Sequence, residues 1–307
     1  MIFDIREHEV FSRYEFAQSP QLLKVGEINR IYFSSRLRDF QNFPESRILY
    51  VDYDSDFRRV INYCEEPVLH ESDVGSYDEH GIFPIHPHKG KDGVLRAYLS
   101  GWSRRISVPV ETAVGVAESS DGGKTFQRLG QGPILCANPS EPFLVGDPFL
   151  WEADLDTYMF YIAGKSWSLF QTEDSPQRVY KIRGAKSKDG LTWERLNQDL
   201  IQDSLGPNEC QALPSLSRWQ DRFLMAFCYR HPDDFRKNEK RGYRLGFAES
   251  YDLENWIRVD REIQTEKSNW DSEMQCYPHL FSTEGKLRIL YNGNQFGKHG
   301  FGMLTEA

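Results

Sequence analysis

Acidic residues recur at one position of a repeated pattern in this sequence. The recurring acids stand five residues before a proline, and they are Glu15, Glu79, Glu209 and Glu273. The third repeat has Phe143 at that position and carries Asp147 directly before its proline, while Asp78 precedes Glu79 in the second. Carboxylates that share an enclosed pocket repel each other, which raises the pKa of some and leaves others ionised. The spacing therefore predicts a ring of acids suited to acid/base chemistry.

Cleavage of a glycosidic bond is a reaction that uses such a set of acids. One protonated carboxyl assists the leaving group, and one carboxylate activates water or attacks directly. The structural alternative is that the acids before the prolines cap strand ends or accept hydrogen bonds from backbone amides. Buried unpaired acids are costly, which favours a shared pocket over four separate structural roles. Glu15 is the weakest candidate, because it lies near the segment expected to close the fold.

A second set of polar and aromatic residues ends the apolar run that follows each proline run. These residues are Arg36, Trp102, Lys165, Trp167, Arg230, Asn292 and Asn294. Tryptophan offers a flat apolar face to a sugar ring, while arginine and asparagine donate to hydroxyl, carboxylate or phosphate groups. If the two runs are antiparallel, these ends lie beside the residues that precede the prolines. We therefore predict that they bind substrate in the same pocket, together with Glu79.

A repeat of about 64 residues must position these side chains. Its prolines are Pro20, Pro84, Pro148, Pro214 and Pro278, separated by 64, 64, 66 and 64 residues. Each proline run is followed by a turn and an aromatic-rich run, which is typical of paired strands. A fixed period of this length predicts the blades of a β-propeller. A β-sandwich with accidental spacing is the alternative.

A third run and a tight turn complete the unit in three repeats. Ala, Ser and Asp recur two residues apart at 117–121, 185–189 and 248–252, and a Phe or Trp follows. Asp-Gly and related pairs form tight turns, and the aromatic residue opens a fourth strand. We predict an all-β, five-bladed propeller with four-stranded antiparallel blades, built as one domain from residues 1–307. The last repeat lacks a fourth strand, so Ile2–Phe11 is predicted to close the ring and remove an exposed edge.

The composition restricts the classes of function. A net charge of −9 with dispersed Lys and Arg argues against a nucleic-acid partner. No apolar stretch is long enough for a signal peptide or a membrane span, which predicts a cytoplasmic protein without a membrane partner. The five cysteines form no CxxC pair, and His80, His86 and His88 lack zinc-ligand spacing, so we predict no metal and no cofactor. Esterase, dinucleotide and Walker motifs are also absent from the sequence.

Over essentially its whole length the sequence resembles the five-bladed propellers of glycoside hydrolase families 43, 32 and 130. The Asp-Pro pair in VGDPFLW resembles the aspartate that tunes the acid and steadies the transition state in these families, which implies that role for Asp147. The next repeat offers Glu209, in NECQALP, as the general acid, and the preceding repeat offers Asp78 as base or nucleophile. The sequence departs from the family pattern where Ser19 and Phe83 precede the first two prolines.

The resemblance implies a carbohydrate-active enzyme that acts on a glycosidic bond. The implied roles are Asp78 as base, Asp147 as modulator, Glu209 as acid and Glu273 as a residue that orients the substrate. The implied partner is a small carbohydrate or a sugar phosphate.

Two alternatives remain at this point. In one, phosphate or a sugar acceptor replaces water, and Arg36, Lys165 or Arg230 neutralises the anion. In the other, the propeller binds a glycan or a protein without catalysis, since one fold serves many functions.

Overall fold

The computed structural model describes residues 1–39, 41–260 and 268–306. The chain opens with strand β1 (Phe3–Asp4) and two short 3₁₀ turns, Ile5–Glu7 and Glu9–Phe11. The first blade consists of β2 (Glu15–Val25), β3 (Ile28–Arg38), β4 (Pro44–Tyr53) and β5 (Val60–Tyr63). The second consists of β6 (Ile82–Lys89), β7 (Leu95–Arg104), β8 (Val110–Ser119) and β9 (Gln127–Arg128).

The remaining blades repeat this order. The third blade consists of β10 (Val145–Glu152), β11 (Thr157–Ser168), β12 (Gln177–Ser187) and β13 (Glu194–Arg195). The fourth consists of β14 (Cys210–Trp219), β15 (Arg222–Arg230), β16 (Arg244–Ser250) and β17 (Ile257–Arg258). The fifth consists of β18 (Cys276–Thr283), β19 (Lys286–Asn292), β20 (Gly300–Thr305) and β1. In every blade each strand is antiparallel to its neighbours, which confirms the predicted all-β, five-bladed propeller.

The N-terminal strand closes the ring as predicted. Phe3 lies opposite Phe301 in the β1–β20 pair, and the N–H of Ile2 donates to the Phe301 carbonyl at 3.0 Å. The strand itself is only Phe3–Asp4, shorter than the predicted segment, because the chain turns into 3₁₀ geometry at Ile5. Gly300 makes the approach possible, since a Cβ there would lie 1.9 Å from the Phe3 carbonyl oxygen.

Aromatic pairs connect four neighbouring blades. Each predicted turn aromatic packs on an aromatic residue of the second strand in the preceding blade. The pairs are Tyr32–Phe126, Tyr98–Trp193 and Phe160–Trp256, with ring centroids 5.9, 6.1 and 5.7 Å apart. Such pairs contribute about 0.5–1.5 kcal/mol beyond the burial of their area. The repeated aromatic therefore fixes the position of one blade against the next.

The repeated Ser and Asp residues form the turn before the short outer strand. In the third blade, the Asp189 carboxylate accepts hydrogen bonds from the N–H groups of Thr192 and Leu191, both at 2.8 Å, and from the Ser187 hydroxyl at 3.0 Å. The N–H groups of Thr192 and Leu191 lower the pKa of Asp189 to about 2. The carboxylate therefore stays ionised and holds the turn closed.

Asp189→Ala is expected to lower the free energy of unfolding by roughly 1–2 kcal/mol, because two backbone donors lose their acceptor. Asp189→Asn, which keeps one acceptor oxygen, should lose less. Urea denaturation at pH 7 measures both changes. An Asp189→Ala variant with an unchanged unfolding midpoint would show that the turn forms without the carboxylate.

Two buried histidines lie side by side on the inner strands. The Nδ1 atoms of His86 and His279 lie 3.4 and 2.9 Å from the Gln21 Oε1 oxygen. Burial lowers the pKa of His279 to about 3, and it also places the pKa of His86 well below its usual value. Both rings are therefore neutral in the folded protein.

Acid is expected to destabilise the fold through His279. The unfolded chain binds a proton near pH 6.5 and the folded chain only near pH 3, so stability falls as the pH drops between those values. His279→Gln should reduce the slope of stability against pH between pH 6 and 4.5, measured by urea unfolding. The exposed His70→Gln serves as the control, and equal slopes in the two variants would contradict the assignment.

No helix among the described residues has the length and apolar character that crossing a membrane requires.

Candidate functional site

A β-bulge in the innermost strand of each blade aims the residue before the proline. Pairing of β10 with β11 skips from Gly146 to Phe149, and the innermost strands of the other four blades carry comparable register shifts. The residues before the prolines have a positive φ in four blades, at Ser19, Asp147, Leu213 and Tyr277. Because this strained conformation recurs with unrelated side chains, it belongs to the architecture and not to one chemistry.

A cavity of about 620 Å³ opens between the blades and receives side chains from all five. Phe83, Asp147 and Tyr277 line it from positions directly before prolines. The ends of second strands and the beginnings of third strands supply much of the rest. A cavity of this size fits a small ligand of one or two sugar rings.

Asp147 is a buried carboxyl group within this cavity. Only 7% of the residue is exposed, and Oδ2 accepts the N–H of Leu213 at 3.3 Å. Burial raises the pKa of Asp147 to about 6, against the charge of Arg178 and the Leu213 hydrogen bond, which both lower it. At neutral pH a minor fraction of Asp147 is therefore protonated, and this fraction can donate a proton.

Trp102 presents one wall of the cavity and is held by its neighbours. Its Nε1 donates to the Ser46 hydroxyl at 3.1 Å, and its ring lies 5.5 Å from the imidazole of His80. Arg104 fixes the same wall, because it donates to Asp39 at 3.0 Å and to the carbonyl of Pro44 at 2.7 Å. A fixed aromatic face of this kind suits a sugar ring.

Several predicted binding residues do line the cavity. They are Arg36, Trp102, Trp167 and Arg230. Arg230 is almost fully buried, where it donates to the carbonyls of His231 and Pro232 and to the Tyr180 hydroxyl. The predicted proximity of second-strand ends and proline runs therefore holds for these side chains.

Asp78 and Glu209 do not line the cavity, and each lies in a buried ion pair. Asp78 accepts Arg128 Nε at 2.7 Å and is 1% exposed. Glu209 accepts Arg258 Nη1 at 2.6 Å and the N–H of Ser204 at 2.8 Å. Burial alone would raise the pKa of Glu209, but these hydrogen bonds outweigh burial and lower it. Such a pair suits a structural role.

Glu79 and Glu273 lie in clefts outside the central cavity. Glu79 borders a shallow cleft shared with Asp78 and Arg128. Glu273 is exposed in a neighbouring cleft that also contains Glu15, and its N–H donates to the Asn294 side chain at 2.9 Å. The ring of acids expected from the spacing is therefore not formed. The residues directly before three of the five prolines line the cavity, whereas the residues five positions before the prolines do not.

The other predicted contacts stabilise the fold. Lys165 is exposed and pairs with Asp199 at 3.1 Å. Asn292 is fully buried, where its amide donates to the Ala17 and Gly300 carbonyls at 2.8 Å. The Asn294 side chain accepts the N–H groups of Glu273 and Met274 in the loop after β19. These three side chains are absent from the cavity lining.

Cavity residues that the sequence analysis missed come from the third strands and from long loops. Arg178 begins β12 and lies opposite Trp167, the predicted end of the second strand. Arg236 comes from the loop between β15 and β16, and Glu173 and Asp174 from the loop between β11 and β12. Hairpin pairing could have indicated Arg178, since third strands begin beside second-strand ends. Nothing in the repeat indicated the loop residues.

Within residues 1–39, 41–260 and 268–306, no three His, Cys, Asp or Glu side chains are grouped closely enough to hold a metal ion.

Two bacterial proteins are similar to this chain in sequence. They are the uncharacterized proteins MT1551 and Rv1502 of two Mycobacterium tuberculosis strains. Each is 30% identical over 283 residues, covering 91% of this chain and 88% of the relative. No protein-family model matches the sequence.

Several solved structures with the same fold are described as glycoside hydrolases. One described as a glycoside hydrolase has a TM-score of 0.73 at 17% identity and covers 96% of this chain and 88% of its own. A thermostable family-43 enzyme gives 0.65 at 11% identity, with coverage of 94% and 88%. The family-32 β-fructofuranosidase of Bombyx mori gives 0.61 at 13%, with coverage of 98% and 64%. The expected likeness to families 43 and 32 is confirmed for the fold.

Proposed function

Since this chain belongs to the same family as Rv1502 and MT1551 of Mycobacterium tuberculosis and has the fold of glycoside hydrolases, we propose that it acts on a glycosidic bond. The observation that carries the proposal is Asp147, a buried acid with a pKa of about 6 on the wall of the central cavity. Aromatic side chains of Trp102 and Trp167 on the same cavity suit a sugar ring.

Asp147 acts as the proton donor in this proposal. Its carboxyl proton passes to the glycosidic oxygen while the bond from that oxygen to the anomeric carbon breaks. A nucleophile supplies the electron pair that forms the new bond at the anomeric carbon. The buried position of Asp147 keeps part of the acid protonated at neutral pH, which general acid catalysis requires.

The nucleophile distinguishes two reactions on this scaffold. Hydrolysis needs a second carboxylate to activate water, and the other carboxylates of the described cavity are Glu173 and Asp174. Glu173 already accepts the N–H of Asp234 at 2.7 Å, while Asp174 is exposed. Transfer to phosphate needs no such base, because the attacking oxygen is already anionic. Arg36, Arg178 and Arg236 on the cavity favour this second reaction.

The test is turnover of a panel of glycosides, sugar phosphates and nucleotide sugars, with and without inorganic phosphate. Asp147→Asn should lose the activity, while Asp154→Asn, the same change on the exposed β10–β11 turn, should keep it. Glu173→Gln and Asp174→Asn should lower turnover only if water is the nucleophile.

Tight sugar binding without turnover across the whole panel would favour the alternative of a binding propeller. Undiminished turnover by Asp147→Asn would remove the proposed proton donor.

A further inference from the structure

We infer that the ligand of the central cavity carries a phosphoryl group, held by Arg36, Arg178 and Arg236. This inference rests on the proposed function, because it names the substrate class of the same site. The three arginines reach the cavity from the first, third and fourth blades.

Unpaired cationic charge distinguishes this cavity from the rest of the protein. Elsewhere, buried arginines have carboxylate partners, as in Arg30–Asp52 at 2.7 Å and Arg258–Glu209 at 2.6 Å. Four guanidinium groups that line this cavity have no described carboxylate oxygen within ion-pair distance. These groups belong to Arg36, Arg178, Arg230 and Arg236. A protein with a net charge of −9 thus places four arginines without a direct ion pair on one cavity, which Asp147, Glu173 and Asp174 also line.

Arg36 is the clearest member of the cluster. Its Nε atom is buried without a hydrogen-bond partner, and its guanidinium lies 5.1 Å from the ring of Phe16. Burial and the charge of Arg178 lower the pKa of Arg36, while Glu15, in the neighbouring cleft, opposes them. An unsatisfied buried donor is costly, and an anionic ligand would satisfy it.

Arg178 and Arg236 line the same cavity from the third and fourth blades. Desolvation, followed by the charges of Arg230 and Arg178, lowers the pKa of Arg236, while the charge of Glu173 opposes them. The Arg236 residue is exposed, and among the described residues its side chain donates to Gln177 at 3.3 Å. Like charges that line one cavity repel each other, and an anion placed among them removes the repulsion.

Arg230 has a different role within the same wall. It is held by two backbone carbonyls and the Tyr180 hydroxyl, and its guanidinium lies 3.5 Å from the ring of Phe235. These contacts hold the Arg230 guanidinium in the cavity wall, where it contributes positive charge. The donors left for a ligand are therefore Arg36, Arg178 and Arg236.

A phosphoryl group fits this cluster better than a carboxylate. The three arginines reach the cavity from three different blades, which suits a tetrahedral group with three exposed oxygens. A planar carboxylate has two oxygens and one charge, whereas a phosphate monoester carries nearly two at neutral pH. The group can belong to a sugar phosphate or arrive as free phosphate.

Isothermal titration calorimetry with inorganic phosphate, glucose 1-phosphate, glucuronate and glucose tests the inference at constant ionic strength. Inorganic phosphate or glucose 1-phosphate should bind at least tenfold more tightly than glucuronate and glucose. Arg36→Gln and Arg178→Gln should each weaken that binding by tenfold or more. Arg218→Gln, on the opposite opening, is the matched control and should leave it unchanged.

The two sources of the phosphoryl group give different results. If glucose 1-phosphate binds more tightly than phosphate, the group belongs to the sugar. If the two bind equally, the group is free phosphate. Unfolding without ligand adds an independent readout, because Arg36→Gln should keep or raise the melting temperature once repulsion is relieved, whereas a structural arginine would lower it.

Equal binding of glucose and phosphate, tighter binding of glucuronate, or unchanged phosphate binding in both arginine variants would overturn the inference. Asp147→Asn should still bind phosphate. Phosphate binding without any turnover would leave the inference standing and remove the proposed function. Asp147-dependent turnover of a neutral glycoside without phosphate binding would leave the proposed function standing and overturn the inference.

Discussion

Asp147→Asn is expected to reduce turnover by about 10²–10⁴-fold, the usual contribution of a general acid. Asparagine has nearly the same shape but no proton to give to the leaving oxygen. The measurement is the initial rate on whichever substrate the wild type processes, compared with the Asp154→Asn control. Because Asp147 lines the cavity, the loss should appear in kcat with a smaller effect on KM.

The pH dependence of the wild type should report the same group. The acid form of Asp147 is required, and its pKa is about 6, so the rate should fall about tenfold for each pH unit well above that value. Arg178 lowers the pKa of Asp147, so Arg178→Gln should move this limb to higher pH. If the pH–rate profile of Arg178→Gln keeps the wild-type position, the charge of Arg178 does not set the pKa of the group that controls the rate.

Asp147→Asn should also be at least as stable as the wild type at pH 8. The folded pKa of about 6 exceeds the unfolded value near 3.9, so the carboxyl weakens the fold as the pH rises through that interval. Loss of activity with a gain in stability is typical of a residue kept for function. A large loss of stability would instead identify Asp147 as a structural residue.

Breaking the Glu209–Arg258 pair is expected to cost about 3–5 kcal/mol of stability. Glu209 is 1% exposed and accepts Arg258 and the N–H groups of Ser204 and Leu205. Glu209→Ala leaves these donors buried and unsatisfied, and Arg258→Met leaves the carboxylate without its cation. Urea denaturation should show comparable losses for both variants.

A double substitution tests whether the cost comes from the pair. Glu209→Ala with Arg258→Met should lose less stability than the sum of the two single variants, because no charge remains buried alone. The Glu209 contribution should also decline as the pH falls below the unfolded pKa of about 4.3 and through the lowered folded pKa. A variant at Glu209 that stays stable but loses turnover would restore its predicted role as the general acid.

Much of the fold could be predicted from the sequence because a propeller is periodic. The proline spacing predicted the number of blades, and the Ser-Asp turn with its aromatic predicted the fourth strand. The missing outer strand of the last repeat indicated closure by the N-terminus, which the Phe3–Phe301 pair confirms. Each of these features is local or repeats at a fixed interval, so the sequence of a single chain is enough to predict it.

The site was predictable only in part, because it departs from the repeat. The sequence identified Asp147, Arg36, Trp102, Trp167 and Arg230 as candidates, and the fold brings them to one cavity. It could not show that a bulge turns one position inward and leaves the recurrent glutamates outside. Only the tertiary structure decided that Glu209 pairs with Arg258, while Arg36, Arg178, Arg230 and Arg236 line the cavity without an ion pair to a described carboxylate. Partners separated by tens of residues depend on how neighbouring blades pack and not on the spacing within one blade.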